Sequence, residues 1–407
     1  MSAPLKAAAE VAAGAAREFV PRTVFQVSDS ITRSYYLGHH RAALSSMEKT
    51  LSNIGLVLEC RDSRIPLTST NPLLESTLAG RDRIIVYTKS NYCAPTRSRS
   101  NRTLDARVTL LKRYHNNYLN SSSPSSSTSE EMTGGAEGRG KTDVVFTDER
   151  NERSVVKLLN KIKKRAAEHD SLLGLRALVV GMPNAGKSTL LNALRRAGMK
   201  RSKAAKTGAE PGVTRKLSTP VRIAPGTSTT DNNNTSSLGP DFGEGIFVVD
   251  TPGVFVPYVS DVASMLKLAL VGCVKDGVVP VETVVDYLLF RLNLVDPLLY
   301  GHLCTHPTND VNDFLHTLAM RHGMLKKGGV PNILEAANYV LHQWRVGNLG
   351  AFCLDDISEQ ALREHARELA EGGEQRVSMS QARKREKLAR KEKNLAKRAA
   401  ALGTGSN

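Results

Sequence analysis

No stretch of this 407-residue chain comes close to the roughly 18 continuous apolar residues of a membrane span, which excludes a helix built to cross a bilayer. There is no CxxC pair either. The five cysteines, Cys60, Cys93, Cys273, Cys304 and Cys353, are scattered, so they fit free, mostly buried thiols in a reducing compartment rather than a disulfide framework. His302, Cys304 and His306 alternate, but no fourth ligand accompanies them and alternation is not the usual zinc spacing. Acidic residues are outnumbered: 40 Asp and Glu face 56 Lys and Arg, a formal charge of +16 and a pI near 9.7. Such an excess points to an anionic partner of the nucleic-acid kind. The length suits two compact domains with extensions.

What is present is most specific at Gly181-Met182-Pro183-Asn184-Ala185-Gly186-Lys187-Ser188, a complete GxxxxGK[ST] phosphate-binding loop. A strand-like run, Leu175 to Val180, leads in. A helix-like run with Leu190, Leu191 and Leu194 on one face leads out. The chemistry needs that context, because successive backbone N–H groups and a helix N-terminus must converge on an anion. Asn184, Ala185, Gly186, Lys187, Ser188 and Thr189 form the expected cradle. Lys187 reaches the β- and γ-phosphates and the Ser188 hydroxyl ligates Mg²⁺.

Ile246-Phe247-Val248-Val249 reads as a buried strand ending in Asp250-Thr251-Pro252-Gly253. An Asp in that place holds the Mg²⁺ of P-loop NTPases, and the N–H of Gly253 can meet the γ-phosphate. DTPG is the GTPase form of the element. Between the two motifs, Pro211-Gly212-Val213-Thr214 places Thr214 where a switch-loop Mg²⁺ ligand would sit.

Nothing after Gly253 resembles the guanine-reading NKxD element. The nearest candidate lies upstream, where the strand Ile84-Ile85-Val86-Tyr87 runs into Thr88-Lys89-Ser90-Asn91. Val144-Val145-Phe146 then leads into Thr147-Asp148, the expected second base loop. Base loop, second base loop, P-loop, switch threonine and DTPG is a circularly permuted order. A parallel sheet tolerates it because strands need their places, not their sequence order.

In this order the chain resembles the circularly permuted GTPases of the YlqF/RbgA type, in their mitochondrial branch. The resemblance spans about Tyr35 to Asp356 apart from two insertions. It is carried by Tyr36-Leu37-Gly38-His39, by Glu59-Cys60-Arg61-Asp62-Ser63-Arg64-Ile65-Pro66-Leu67 with Asn71-Pro72, by the motifs above, and by Gly328-Gly329-Val330-Pro331-Asn332 and Gly347-Asn348-Leu349-Gly350. It implies a GTP-hydrolysing assembly factor for the large subunit of the mitochondrial ribosome, in the matrix. Peripheral contact with the matrix face of the inner membrane is left open. It also implies that His39 orients the attacking water, since Val254 stands where Ras-like enzymes carry a glutamine. Asn184, by the same resemblance, helps hold a K⁺ ion beside the phosphates.

The chain departs from the family at the base loop. Thr88 replaces the Asn and Asn91 the Asp, so a two-acceptor carboxylate gives way to one acceptor and a mismatched donor. Two other readings therefore stay open: a P-loop NTPase of relaxed specificity, and a nucleotide-gated RNA-binding scaffold with negligible turnover.

The expected architecture is α/β: a permuted GTPase domain over 29–275, its mostly parallel sheet covered by helices on both faces, then a small all-α domain over 280–371. Val284, Val285, Leu288, Leu289 and Leu292 share one helical face there. Ile333, Ala337, Val340, Leu341 and Trp344 share another, which stops near Gly347. Low-complexity insertions interrupt the first domain at about 120–141 and 227–237. Residues 1–28, Ala-rich with Lys6, Arg17 and Arg22 around Leu5, Val11 and Phe19, fit a mitochondrial presequence, although Glu10 and Glu18 are unusual in one. The tail, 374–407, includes ten Lys and Arg against Glu386 and Glu392 between Arg376 and Arg398. Leu388, Leu395 and Leu402 give it one apolar position per heptad, too few for a coiled coil. It reads as a solvated basic helix that orders on RNA.

Overall fold

A computed structural model describes residues 19–27, 31, 38–93, 102–119, 140–169, 171–202, 204–205, 208, 214, 217–226, 243–255, 259, 261–304 and 306–372, with backbone alone at 38–42, 102–105, 118–119 and 370–372. Both expected insertions apart from Gly140 and Lys141, the residues Pro211 to Val213, and the basic tail lie outside the described residues. The chain divides into two compact units, Asp29–Val279 with Gly350–Asn407, and Met1–Ser28 with Pro280–Leu349.

The first unit is a six-stranded sheet. Its strands are β1 (Leu56–Asp62), β2 (Arg83–Thr88), β3 (Thr142–Phe146), β4 (Leu175–Gly181), β5 (Val221–Pro225) and β6 (Gly245–Asp250), in the spatial order β3-β2-β1-β4-β6-β5. All neighbours are parallel except β5, which runs antiparallel to β6. Every residue of β1 is buried, as expected for a central strand sandwiched by helices. Alternate residues face opposite ways. Leu56, Leu58 and Cys60 join the layer of α4 (Glu152–His169) and α5 (Lys187–Met199). Val57, with Leu178 and Val180 of β4, joins that of α1 (Gly38–Thr50) and α2 (Pro72–Thr77). Ile85 and Tyr87 of β2 pack with α3 (Arg102–Tyr114) on Leu111 and Tyr114. Helix α4 shows the sequence logic plainly: Val155, Leu158, Leu159, Ile162 and Ala166 are its buried stripe at helical spacing.

Parallel order brings the C-terminal ends of β1, β2, β3, β4 and β6 to one edge, and the strand order reverses between β1 and β4. In open α/β sheets ligands settle in the crevice at that point. Helix α6 (Val262–Leu270) follows β6 on the way out of this unit.

The second unit holds α7 (Val281–Val295), α8 (Val311–Arg321) and α9 (Ile333–Val346). Val284, Val285, Leu288, Leu289 and Leu292 are buried on α7 as expected, and on α9 Ala337, Val340, Leu341 and Trp344 are buried while Ile333 at its start is only half-buried. Each buried Val or Leu among them contributes about 1.5–3 kcal/mol by leaving water. Gly347 closes α9 in the left-handed conformation at φ +88°.

Two boundaries differ from the sequence reading. Residues 350–371, expected in the helical domain, belong to the sheet unit. There Leu354 N–H donates to the Arg64 carbonyl at 2.8 Å, and the Asp355 carboxylate accepts from Leu67 N, Thr68 N, Thr68 Oγ1 and Lys267 Nζ. Helix α10 (Glu359–Gly372) then seats Leu362 beside Ile85 and Tyr87. Residues 19–27, expected inside a removable presequence, are packed on the helical unit. Phe25 lies edge-on to Tyr287 at 5.3 Å and against Phe290 at 5.5 Å, while Arg22 meets Asp286 at 2.6 Å. Aromatic contacts of this kind are worth about 0.5–1.5 kcal/mol beyond area burial. A part-exposed ion pair adds less, so the rings carry the attachment.

No helix among the described residues is long and apolar enough to cross a membrane. All five cysteines are free and buried.

Candidate nucleotide site

The phosphate side is built where β4 meets α5. Gly181 turns the chain at φ +140°, and a Cβ there would lie 2.3 Å from the Cys60 carbonyl oxygen, so only glycine lets the loop pass this close to β1. Lys187 opens α5 and folds its side chain back so that Nζ donates to the Met182 carbonyl at 2.8 Å. It is buried, and burial pushes its pKa down while Asp250 pulls it up. An anion drawn into the loop would meet this cation directly.

The three expected Mg²⁺ ligands come together. Ser188 Oγ donates to Asp250 Oδ2 at 2.5 Å and lies 3.3 Å from Thr214 Oγ1. The other carboxylate oxygen of Asp250, Oδ1, is buried with no hydrogen-bond partner among the described residues, and burial raises the pKa of this group. Two hydroxyls beside a carboxylate with an orphaned oxygen form the hard, all-oxygen donor set that Mg²⁺ takes. A divalent cation would satisfy that oxygen and favour the ionised carboxylate.

The DTPG turn is pinned to the P-loop. Thr251 Oγ1 donates to the Val179 carbonyl at 2.7 Å, and Val254 N–H donates to that of Gly181 at 3.1 Å. A Cβ on Gly253 would come within 2.6 Å of the Pro183 nitrogen. The Val254 side chain is buried with Ala43, Met47 and Leu74, so it is committed to the core and has no polar atom for water.

On the base side, Thr88 ends β2 with its hydroxyl 2.8 Å from the Ala185 carbonyl, to which it donates. Next to it Lys89, at φ +55°, donates from Nζ to the Asn184 carbonyl at 2.8 Å and to Asp62 at 2.9 Å. The expected base loop is thus tied to the P-loop through two consecutive residues. The residue types alone marked Thr88 as a loss. In the fold its hydroxyl holds the loop in place.

Asp62 takes both Arg64 Nε and Nη2. Burial alone would push its carboxyl up, but Arg64 and Lys89 hold it well below the usual carboxylate range. Asn91 lies half-buried in the turn Ser90–Cys93. Ser90 N–H donates to the Thr147 carbonyl at 3.1 Å, and Thr147 N–H to that of Tyr87 at 2.8 Å, which sets the second base loop beside the first. Asp148 follows, its Oδ1 accepting from Arg150 N and its own N–H donating to Ser154 Oγ. Tyr92 has the guanidinium of Arg64 at 5.5 Å and that of Arg150 at 5.8 Å. The sequence marks Asp62 and Arg64 only as part of the run Glu59 to Leu67, with no role of their own. Their signal was a charged Asp-Ser-Arg cluster at the end of an otherwise buried strand.

Thr189 lies in the first turn of α5. Asn184, at φ +55°, donates from Nδ2 to the Gly272 carbonyl at 2.7 Å, so contact with a monovalent cation would fall to its carboxamide oxygen. His39 sits in the first turn of α1, and its side chain lies outside the described residues.

A family described as 50S ribosome-binding GTPase matches residues 176–292. Mitochondrial GTPase 1 of Schizosaccharomyces japonicus is 34% identical over 336 residues, spanning 80% of this chain and 91% of the relative. Its Schizosaccharomyces pombe counterpart is 33% identical over 348 residues, 84% of this chain and 95% of the relative. Mitochondrial ribosome-associated GTPase 1 of Xenopus tropicalis is 27% identical over 352 residues, 82% and 98% of the two chains. The crystal structure of GNP-bound YlqF from T. maritima is 20% identical and covers 78% of this chain and 99% of that one, with a TM-score of 0.44. The fold assignment stands on the strand order and the motif placement described above. With base-loop strands preceding the P-loop strand and DTPG closing β6, the chain belongs to the mitochondrial GTPase 1 family of circularly permuted GTPases, enzymes that hydrolyse GTP.

Proposed function

We propose that this GTPase binds the maturing large subunit of the mitochondrial ribosome in the matrix and leaves it when GTP is hydrolysed. The observation that carries the switch is the convergence of Ser188, Thr214 and Asp250, which joins the P-loop, the PGVT segment and DTPG at one point. The ribosomal partner is supported by the names of the relatives, by the 50S-binding description of the matched family, and by the +16 charge. Import would use a presequence that ends before Phe19, since residues 19–27 pack on the helical unit.

Bound Mg²⁺ would neutralise charge developing on the β- and γ-phosphates. Ser188, Thr214 and Asp250 would hold it. The P-loop amides and Lys187 orient the phosphates, and Gly253 N–H meets the γ-phosphate. Thr214 and Gly253 lose their reason to stay in place once that phosphate leaves. His39 orients water. It lies in the first turn of α1, the helix whose Ala43 and Met47 are buried with Val254 beside DTPG. A neutral imidazole there supplies what buried Val254 cannot. Asn184 supports a K⁺ ion through its carboxamide oxygen.

Turnover measured in K⁺ or Na⁺, with and without purified large subunits, tests this reading. Stimulation by subunits in K⁺ is expected; no stimulation in either salt would sink the ribosomal part. Asn91 favours a second reading, relaxed base preference, because the amide in the base loop lacks the paired acceptors of a carboxylate. Competition between GTP and ATP separates the two.

A further inference from the structure

Asn71 is 1% exposed, and both ends of its carboxamide are used. Oδ1 accepts from Leu73 N–H at 3.0 Å, capping α2. Nδ2 reaches 183 positions along the chain to donate to the Val254 carbonyl at 3.0 Å. The N–H of the same Val254 donates to the Gly181 carbonyl. The residue after Gly253 is therefore clamped from both sides, by the first residue of the P-loop and by the side chain that opens α2. The tight approach of Gly253 to Pro183 leaves that peptide little room to drift inward.

We infer that Asn71 is a positioning residue for the γ-phosphate: by holding the Val254 carbonyl it sets where the Gly253 N–H points. The inference rests on the reading that Gly253 meets the γ-phosphate. A helix cap does not require this second bond, since a serine or aspartate caps as well. What the amide adds is a donor, and the donor is spent on the segment that must distinguish GTP from GDP. Among the described residues, the hydrogen bonds of Asn71 go to Leu73, Glu75 and Val254, and none goes to Thr88–Asn91 or to Ser188, Thr214 and Asp250. Its loss should therefore fall on the triphosphate state and on turnover alone.

Two variants of the full chain separate this role from a structural one. Asn71→Asp keeps the shape and the cap but places an acceptor against the Val254 carbonyl. Asn71→Ser keeps a capping hydroxyl that is too short to reach it. The measurements are affinity for GDP, affinity for a non-hydrolysable GTP analogue, kcat and KM with large subunits, and thermal midpoint. For both variants GDP affinity should stay within about twofold, while analogue affinity and kcat fall on the order of tenfold, the scale of one lost hydrogen bond. An unchanged ratio of analogue to GDP affinity, or equal losses of both together with a lowered thermal midpoint, would overturn the inference. Gly253→Ala is the control. If it loses analogue discrimination while both Asn71 variants keep it, Asn71 is only a cap. If Gly253→Ala keeps discrimination too, the reading of Gly253 fails and takes the inference with it.

Discussion

In the proposed mechanism, specificity turns on Asn91 and catalysis on His39. In the base loop the hydroxyl of Thr88 already secures the P-loop at Ala185, so the replacement of an asparagine there costs no tie. The deficit is confined to Asn91, whose amide offers one acceptor to a guanine edge that presents two donors. Asn91→Asp is expected to sharpen the preference for GTP over ATP by about 1.5–3 kcal/mol, the worth of a hydrogen bond to a charged group. Competition binding checks it; an unchanged ordering would mean that Thr88 to Asn91 does not read the base. For His39, alanine should leave GTP affinity intact and lower subunit-stimulated turnover on the order of a hundredfold, the pattern of a contact made mainly in the transition state. Steady-state rates at saturating subunits decide it, and parental turnover would remove His39 from the mechanism.

At the level of elements, α10 is held to the sheet unit by a polar and aromatic seam. Tyr114 Oη and His365 Nδ1 are 2.7 Å apart, and Leu362 packs into the cluster of Ile85, Tyr87 and Leu111. Burial, with Arg61 adding to it, pushes the His365 imidazole down from 6.5 to about 4. Between those values the unfolded chain binds a proton that the folded chain refuses. Stability from this group is thus fully present above pH 6.5 and is lost as pH falls towards 4. Thermal midpoints at pH 7 and pH 5 should drop less between the two for His365→Asn than for the parent; equal drops would remove His365 from the acid sensitivity. His115, buried and also depressed, supplies part of the slope that the variant keeps. Little of this seam was legible beforehand. The P-loop, DTPG and the strands before them could be read because their chemistry is local: glycines, one lysine, one aspartate and buried runs within a few residues. Residues 350–371 read as part of the helical domain because their affiliation depends on Asp355 meeting backbone N–H groups nearly 290 positions away. The bond from Asn71 to Val254 and the service of Thr88 were hidden for the same reason. Each is a contact across sequence between residues whose types have ordinary explanations.

The whole molecule carries its charge unevenly, and the proposed function gives its two ends separate tests. At the N-terminus, residues 19–27 read as presequence because they continue an alanine-rich, basic run, yet Phe25 sits on Tyr287 and Phe290. The N-terminus of protein purified from mitochondria is therefore expected at or before Phe19, and sequencing that begins beyond Val27 would show the packed segment to be dispensable. At the other end, the ten cations between Arg376 and Arg398 give a net +8, half of the formal +16. They follow α10 and lie outside the nucleotide motifs, so truncation after Gly373 should leave nucleotide affinity unchanged and weaken binding to large subunits. If several of these cations meet RNA phosphates, each contact contributes roughly 0.7–0.9 to the slope of log affinity against log salt. The truncated chain should then bind with a visibly shallower slope, and the affinity that remains should come from the rest of the chain. Titrations of large subunits over a range of KCl concentrations measure both slopes. Identical slopes for the two proteins would place the tail in solvent within the complex, and the charge that recognises the ribosome would have to lie on the folded units instead.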